Sequence, residues 1–277
     1  MLKQNLSHYR QALQPLIEQT LLTVPSTIEP SSLWLAAVPA EALLNPAGMQ
    51  GYALSLTLEE LTRNTARTLA DSAGHRRPIY FLLALHLTLR AFKAKNQLLP
   101  GEAQKLVADL TVSLQGADDP VDLKLWRLLC LADAVAIGAS TTLPSEIVSQ
   151  TLQAITPPGR YGSLHYHDPD ESLDAWTYRE LIGLHALYGL AQVTGDASLL
   201  EHAARVVRHH VENTQPDNTT NQPWALAAFL TLGEDTSFAD QQLHDATTQG
   251  SSLQSAKAPG LVAGLLLADA WCDLAVS

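Results

Sequence analysis

Cysteine is nearly absent from this chain: Cys130 and Cys272 are the two among 277 residues, and no CxxC pair occurs. That excludes a disulfide framework and a cysteine-rich zinc motif. Both thiols fall in apolar helical runs, where a buried free cysteine is the ordinary expectation. Basic residues are also scarce, with 17 Lys and Arg against 28 Asp and Glu and a net charge of −11. Such a balance argues against DNA or RNA as the main partner and against docking on an anionic membrane. The one basic cluster, HRRP at 75–78, reads as the loop before a helix. No apolar run reaches the ~18 residues needed to span a bilayer. The opening MLKQNLSHYRQALQPLIEQ has no continuous apolar core and no small-residue cleavage site, so no signal peptide is read and a cytoplasmic protein is expected. GxxxxGK[ST], GxGxxG and GxSxG are missing, which leaves nucleotide-binding and serine-hydrolase readings unsupported.

Aromatic residues are few at 6%, and no long alternating pattern of the strand type appears. What is present is Leu and Ala, within a 46% hydrophobic and 16% charged composition that suits a sizeable core built from helices. Apolar residues recur at three- and four-residue spacing, in two kinds of segment that take turns. One kind is apolar nearly all round, at 78–94, 123–139, 180–194, 223–233 and 261–276, with 32–44 as a further member. Helices without a polar face are buried on every side. The other kind is amphipathic, at 58–72, 101–115, 144–155, 197–213 and 237–249, with 2–22 added. In the clearest case Leu199, Leu200, Ala203, Val206, Val207 and Val211 form the apolar stripe.

Buried segments recur every ~40 to 55 residues, the period of a two-helix repeat. The last segment is of the buried kind with no partner after it, so the first helix is expected to pack there and close a ring. A ring needs no polar capping repeat at either end, whereas an open solenoid does. One all-α domain over 1–277 follows, with 1–70 the least clearly patterned part of it.

The stretch LHALYGLAQVTGDASLLEHAARVV (184–207) resembles the inner-helix, tight-turn, outer-helix unit of the (α/α)6 toroids. That group includes the six-hairpin glycosidases and related polysaccharide lyases and sugar epimerases. Its TGD turn also makes physical sense unaided: Gly195 can take the left-handed conformation that ends one helix, and Asp196 can N-cap the next. The resemblance implies an (α/α)6-like toroid of about six helical hairpins, with an open α-solenoid as the alternative. It implies an intracellular carbohydrate-active protein acting as a glycoside hydrolase, lyase or epimerase. A noncatalytic binding or scaffold protein on the same frame is the competing expectation.

Loop lengths indicate where a site would open. Turns from buried to amphipathic helices are short, while the returning connections are longer and richer in reactive side chains, above all 156–174. Loops beyond ~12–15 residues in a compact domain are usually functional or disordered, and these would gather at the N-termini of the buried helices. Within RYGSLHYHDPDESLD (160–174), Asp168, Asp170 and Asp174 are candidate acid and base groups, with His165 as a proton-transfer partner. Glycoside hydrolysis needs two carboxylates ~5–9.5 Å apart across the sugar, and an epimerase needs two proton-transfer groups. Tyr161, Tyr166, His167, Trp176, Tyr178, His185 and Trp224 are the candidate substrate-binding residues, the aromatic rings as stacking faces. His86 and His185 occupy similar places in two buried helices, so a central cavity could use both, although a lone histidine there is more often a satisfied core residue. Against these stand plain structural roles: Ser172 or Asp174 as a helix cap, and the amides of ENTQPDNTTNQPW (212–224) as turn formers. His165 and His167 with Asp168 or Asp170 have the residue types of a metal site, but nothing suggests the strand end on which an HxH pair is a strong signal. No metal and no cofactor is expected, and a small carbohydrate is the expected partner.

Overall fold

In a computed structural model of the chain the described residues are 2–22, 32–45, 47, 51–70, 78–95, 101, 104–105, 107, 120–139, 149, 153, 164, 170–214, 222–250 and 259–275. The protein is all-α, and no strand occurs among these residues. Ten helices are described: α1 (Leu2–Leu22), α2 (Ser32–Leu44), α3 (Gly51–Ala70), α4 (Pro78–Ala94), α5 (Val121–Ala136), α6 (Leu173–Thr194), α7 (Ala197–Asn213), α8 (Leu226–Leu232), α9 (Ser237–Gly250) and α10 (Pro259–Ala275). The amphipathic segments expected at 101–115 and 144–155 fall mostly outside the described residues. No described helix is long and apolar enough to cross a membrane.

Burial separates the two kinds of helix. Residues 35–44, 82–89, 125–134, 180–188, 224–230 and 260–270 are buried without a break. An unbroken run of two turns leaves no helix face in water, so α2, α4, α5, α6, α8 and α10 are core helices. In α7, by contrast, Leu199, Ala203, Val206, Val207 and His210 are buried while Val211 is 36% exposed. The stripe expected to end on Val211 ends instead on His210, which lies seven residues after Ala203 and so on the same helical face.

The core helices pack in a cyclic order. α2 packs on α4, α4 on α5, α5 on α6, α6 on α8, α8 on α10, and α10 back on α2. The amphipathic helices sit between them: α3 lies against α2 and α4, α7 against α6 and α8, and α9 against α8 and α10. α1 lies against α2 and α10, bringing the first helix onto the last.

Helix α6 shows how the sequence sets an element's ends. Ser172 caps its start by accepting the Ala175 N–H at 3.3 Å, with Asp174 in the first turn. It therefore begins seven residues before the apolar run expected at 180, because a polar first turn hides the start from periodicity. Its end is set by Gly195 at φ 68°, whose N–H donates to Ala191 O. Asp196 then caps α7, its Oδ1 accepting from the Ser198 and Leu199 amides at 2.8 and 3.3 Å. One residue of the long 156–174 connection is tied down here. Buried Leu164 donates its N–H to Glu180 Oε2 at 2.8 Å, and its Cδ1 would lie 2.9 Å from any Cβ at Gly183.

The turn gives a direct check. Gly195→Ala meets no steric obstacle, since nothing lies within 4 Å of the added Cβ. Its only penalty is the left-handed backbone, so unfolding in urea should show a loss of about 1 kcal/mol with an unchanged slope.

Candidate functional site

Where α4, α5, α6 and α10 face one another the apolar core is interrupted by charge. His86 (α4) sits between two carboxylates: its Nδ1 is 2.6 Å from Asp133 Oδ2 (α5) and its Nε2 2.9 Å from Asp269 Oδ1 (α10). Carboxylates only accept, so both ring nitrogens act as donors and the ring is an imidazolium. One turn further along α4, Arg90 Nη1 lies 2.5 Å from Asp269 Oδ1, and its Nη2 pairs with Asp273. His185 (α6) brings its Nε2 to 3.1 Å from Asp269 Oδ2, close enough for electrostatic pairing but off the line of a hydrogen bond. His86, Asp133, His185 and Asp269 are all buried.

Burial alone would push His86 down, but the Asp269 and Asp133 carboxylates overcome it and hold the imidazole up at about 9. Burial likewise opposes ionisation of Asp269. The Arg90 and His86 charges beside it win, and its carboxyl stays well below the usual range. Each buried charge is thus held by an opposite one, the arrangement that makes burial tolerable. Cys130, on α5 between Trp126 and Asp133, donates to Leu82 O at 3.4 Å, and burial raises its thiol well above the normal value. It is a packing residue.

Aromatic rings surround the histidines. Trp126 stacks on His185 with centroids 5.0 Å apart, Trp224 meets that imidazole edge-on at 5.7 Å, and His86 lies 6.3 Å from it. The Trp126 indole N–H donates to Ile182 O at 2.9 Å. Above Trp224, at the N-terminal ends of the core helices, stand Tyr80 from the first turn of α4 and Tyr178 from α6, with centroids 6.5 and 6.3 Å from it. The Gln222 amide joins them, its Oε1 accepting the Trp224 Nε1–H at 3.0 Å and its Nε2 lying 3.4 Å from Tyr80 Oη.

Backbone strain coincides with this point. Ala225, just before α8, has φ 57° and ψ 24°, the only non-glycine with positive φ among the described residues. That conformation turns its N–H toward His185 Nδ1 at 3.3 Å. An Nδ1 that accepts leaves the imidazole hydrogen on Nε2, facing Asp269.

Of the residues expected to form the site, Tyr178, His185 and Trp224 are brought together. Trp176 is buried elsewhere, edge-on to His209 and tilted on His210 of α7. Nearby, His210 Nε2 lies 3.5 Å from Glu180 Oε2 and its Nδ1 2.8 Å from Thr214 Oγ1. Asp170 and Asp174 are exposed, Asp174 in the first turn that Ser172 caps. Tyr161, His165, Tyr166, His167 and Asp168 lie outside the described residues. Sequence reasoning passed over Asp133, Asp269, Arg90 and Trp126 as site residues. The available signal was a charged side chain inside a segment otherwise apolar all round, which demands a buried partner.

Compared with known proteins, the chain matches no family model, no curated protein and no solved structure.

The cluster fixes a pH window for stability. His86 titrates higher folded than unfolded, so its stabilisation is complete below about pH 6.5 and is lost as pH rises through about 9. Asp269 titrates lower folded than unfolded, so its part is present above the ordinary carboxylate range and is lost on acidification. Urea unfolding across pH should therefore show greatest stability between about pH 4.5 and 6.5, with a loss on the order of 3 kcal/mol toward pH 10. In Asp133→Asn the alkaline loss should still begin near pH 6.5 but be smaller and finish at a lower pH. Ala225→Gly should leave stability within about 0.5 kcal/mol of the native chain or raise it, because relief of the left-handed strain offsets the entropy of glycine. A loss above 1 kcal/mol would show that Ala225 is held there without strain.

Proposed function

We propose that this chain is an intracellular carbohydrate-active protein of the six-hairpin glycosidase-like type, with its ligand at the N-terminal mouth of the core helices. One observation carries the reading: half-buried Tyr80 and Tyr178 converge there with the Gln222 amide, over the fully buried Trp224. Aromatic faces beside a few placed polar groups are what a sugar ring requires, since one face stacks while the hydroxyls are hydrogen-bonded. The cyclic packing order of the core helices supports an (α/α)6-like toroid over an open solenoid, and the acidic charge supports a small-molecule ligand over nucleic acid. The free Cys130 and Cys272 suit a reducing compartment.

Under this reading Asp168, Asp170, Asp174 and His165 are the candidate acid–base groups of the rim. Tyr161, Tyr166 and His167 extend the substrate contacts beyond Tyr178, His185 and Trp224, whereas Trp176, packed on α7, takes no part. The deeper carboxylates Asp133 and Asp269 do not fit a two-carboxylate hydrolysis, because the His86 ring fills the space between them.

A second reading has its own support. With both nitrogens of His86 engaged and the ring 1% exposed, the central cluster has the form of a structural anchor. That favours a noncatalytic binding or scaffold protein using the same mouth.

Titration with neutral sugars, oligosaccharides and uronic acids, read by tryptophan fluorescence and calorimetry, separates these cases. A binding sugar should lose roughly threefold to tenfold in affinity in Tyr178→Ala, the value of one stacking contact. No binding by the native chain to any sugar would sink the carbohydrate reading. Binding without turnover or proton exchange in the bound sugar would favour the noncatalytic one.

A further inference from the structure

We propose that His86, His185 and Asp269 form a binding site for one divalent first-row transition-metal ion, of which zinc is the best fit. This is independent of whether the mouth above takes a sugar. The nitrogen and oxygen atoms these three side chains offer all lie within 4.8 Å of one another. Two imidazoles and one carboxylate form a three-ligand set that zinc accepts, with the fourth position left open. Around a tetrahedral ion with bonds of about 2.0–2.1 Å, ligand atoms stand about 3.3 Å apart. His86 Nε2 stands 2.9 Å from Asp269 Oδ1 and His185 Nε2 3.1 Å from Asp269 Oδ2, so the three groups already converge on one point.

The surroundings support two of the three ligands, His86 and Asp269. A metal-bound histidine holds its second nitrogen against a carboxylate or carbonyl, and a ligating carboxylate is itself hydrogen-bonded. Asp133 meets His86 Nδ1 at 2.6 Å, and Arg90 meets Asp269 Oδ1 at 2.5 Å. That leaves Oδ2 of Asp269 for the ion. Trp126, stacked 5.0 Å from His185, fixes the plane of the second ligand ring. All three ligand residues are buried, as a site that excludes competing water requires. Two contacts change when the ion binds. His86 Nε2 releases its proton to solvent, and the ring hydrogen of His185 moves from Nε2 to Nδ1, which ends the long 3.3 Å bond from the Ala225 amide. The Ala225 N–H then faces a donor, so that amide must turn away for the ion to bind.

The test uses the full chain, stripped with a chelator and reloaded with Zn2+ or Co2+. The expected result is one ion per chain by elemental analysis. X-ray absorption should show two imidazoles and an oxygen at about 2.0–2.1 Å. His185→Gln and Asp269→Asn should abolish retention, and Asp133→Asn should weaken it about 10- to 100-fold by releasing His86. His244→Gln, on the exposed face of α9, should change nothing. If the core variants fail to fold, the absorption spectrum of the native chain still decides. Failure to retain an ion, a first shell with fewer than two imidazoles, or retention that survives both His185→Gln and Asp269→Asn overturns the proposal.

Discussion

The carboxylate of Asp269 is the point on which the middle of the protein depends. It is buried, and an unpaired carboxylate there would cost far more than the marginal stability of a domain. Three cations or polar rings from two other helices answer it: His86 and Arg90 of α4, and His185 of α6. Asp133 of α5 holds the far side of His86. Hydrophobic burial is non-directional and would let these helices slide or rotate against one another. The charged contacts do not, because each bond is satisfied at one register only.

The aromatic layer follows from that register. With His185 turned toward Asp269, its ring face is available to Trp126 and its edge to Trp224. Trp224 is buried, and Gln222 and Tyr80 satisfy the polar groups above it. Ala225 adopts a left-handed backbone between these two layers, a strain that ring packing on one side and the helix start on the other impose together. Ionic centre and aromatic layer thus meet at one residue, His185.

The long 156–174 connection attracted attention because its reactive side chains are dense. Its described part has mainly structural roles: Leu164 fills the space at Gly183 and satisfies Glu180, Glu171 forms a bidentate pair with Arg179, and Ser172 caps α6. Density of polar residues in a loop is a weak guide, because solvent and helix ends use the same residue types as chemistry. A single charge within an apolar helix is the stronger signal, since it has no such cheap use.

The sequence by itself determined the helical class, the alternation of buried and amphipathic helices, and the turn at Gly195 and Asp196. Each rests on interactions within a few residues: periodicity, capping and the glycine backbone. It also marked His86 and His185 as matching positions. Only the tertiary structure decided that these two share Asp269, that Asp133 and Arg90 complete the cluster, and that Trp224 from another loop lies against His185. Those partners are far apart along the chain, and local patterns carry no record of which side chain on one helix will face which on another. The packing of whole helices makes that choice, and the need to pair buried charge selects among the packings.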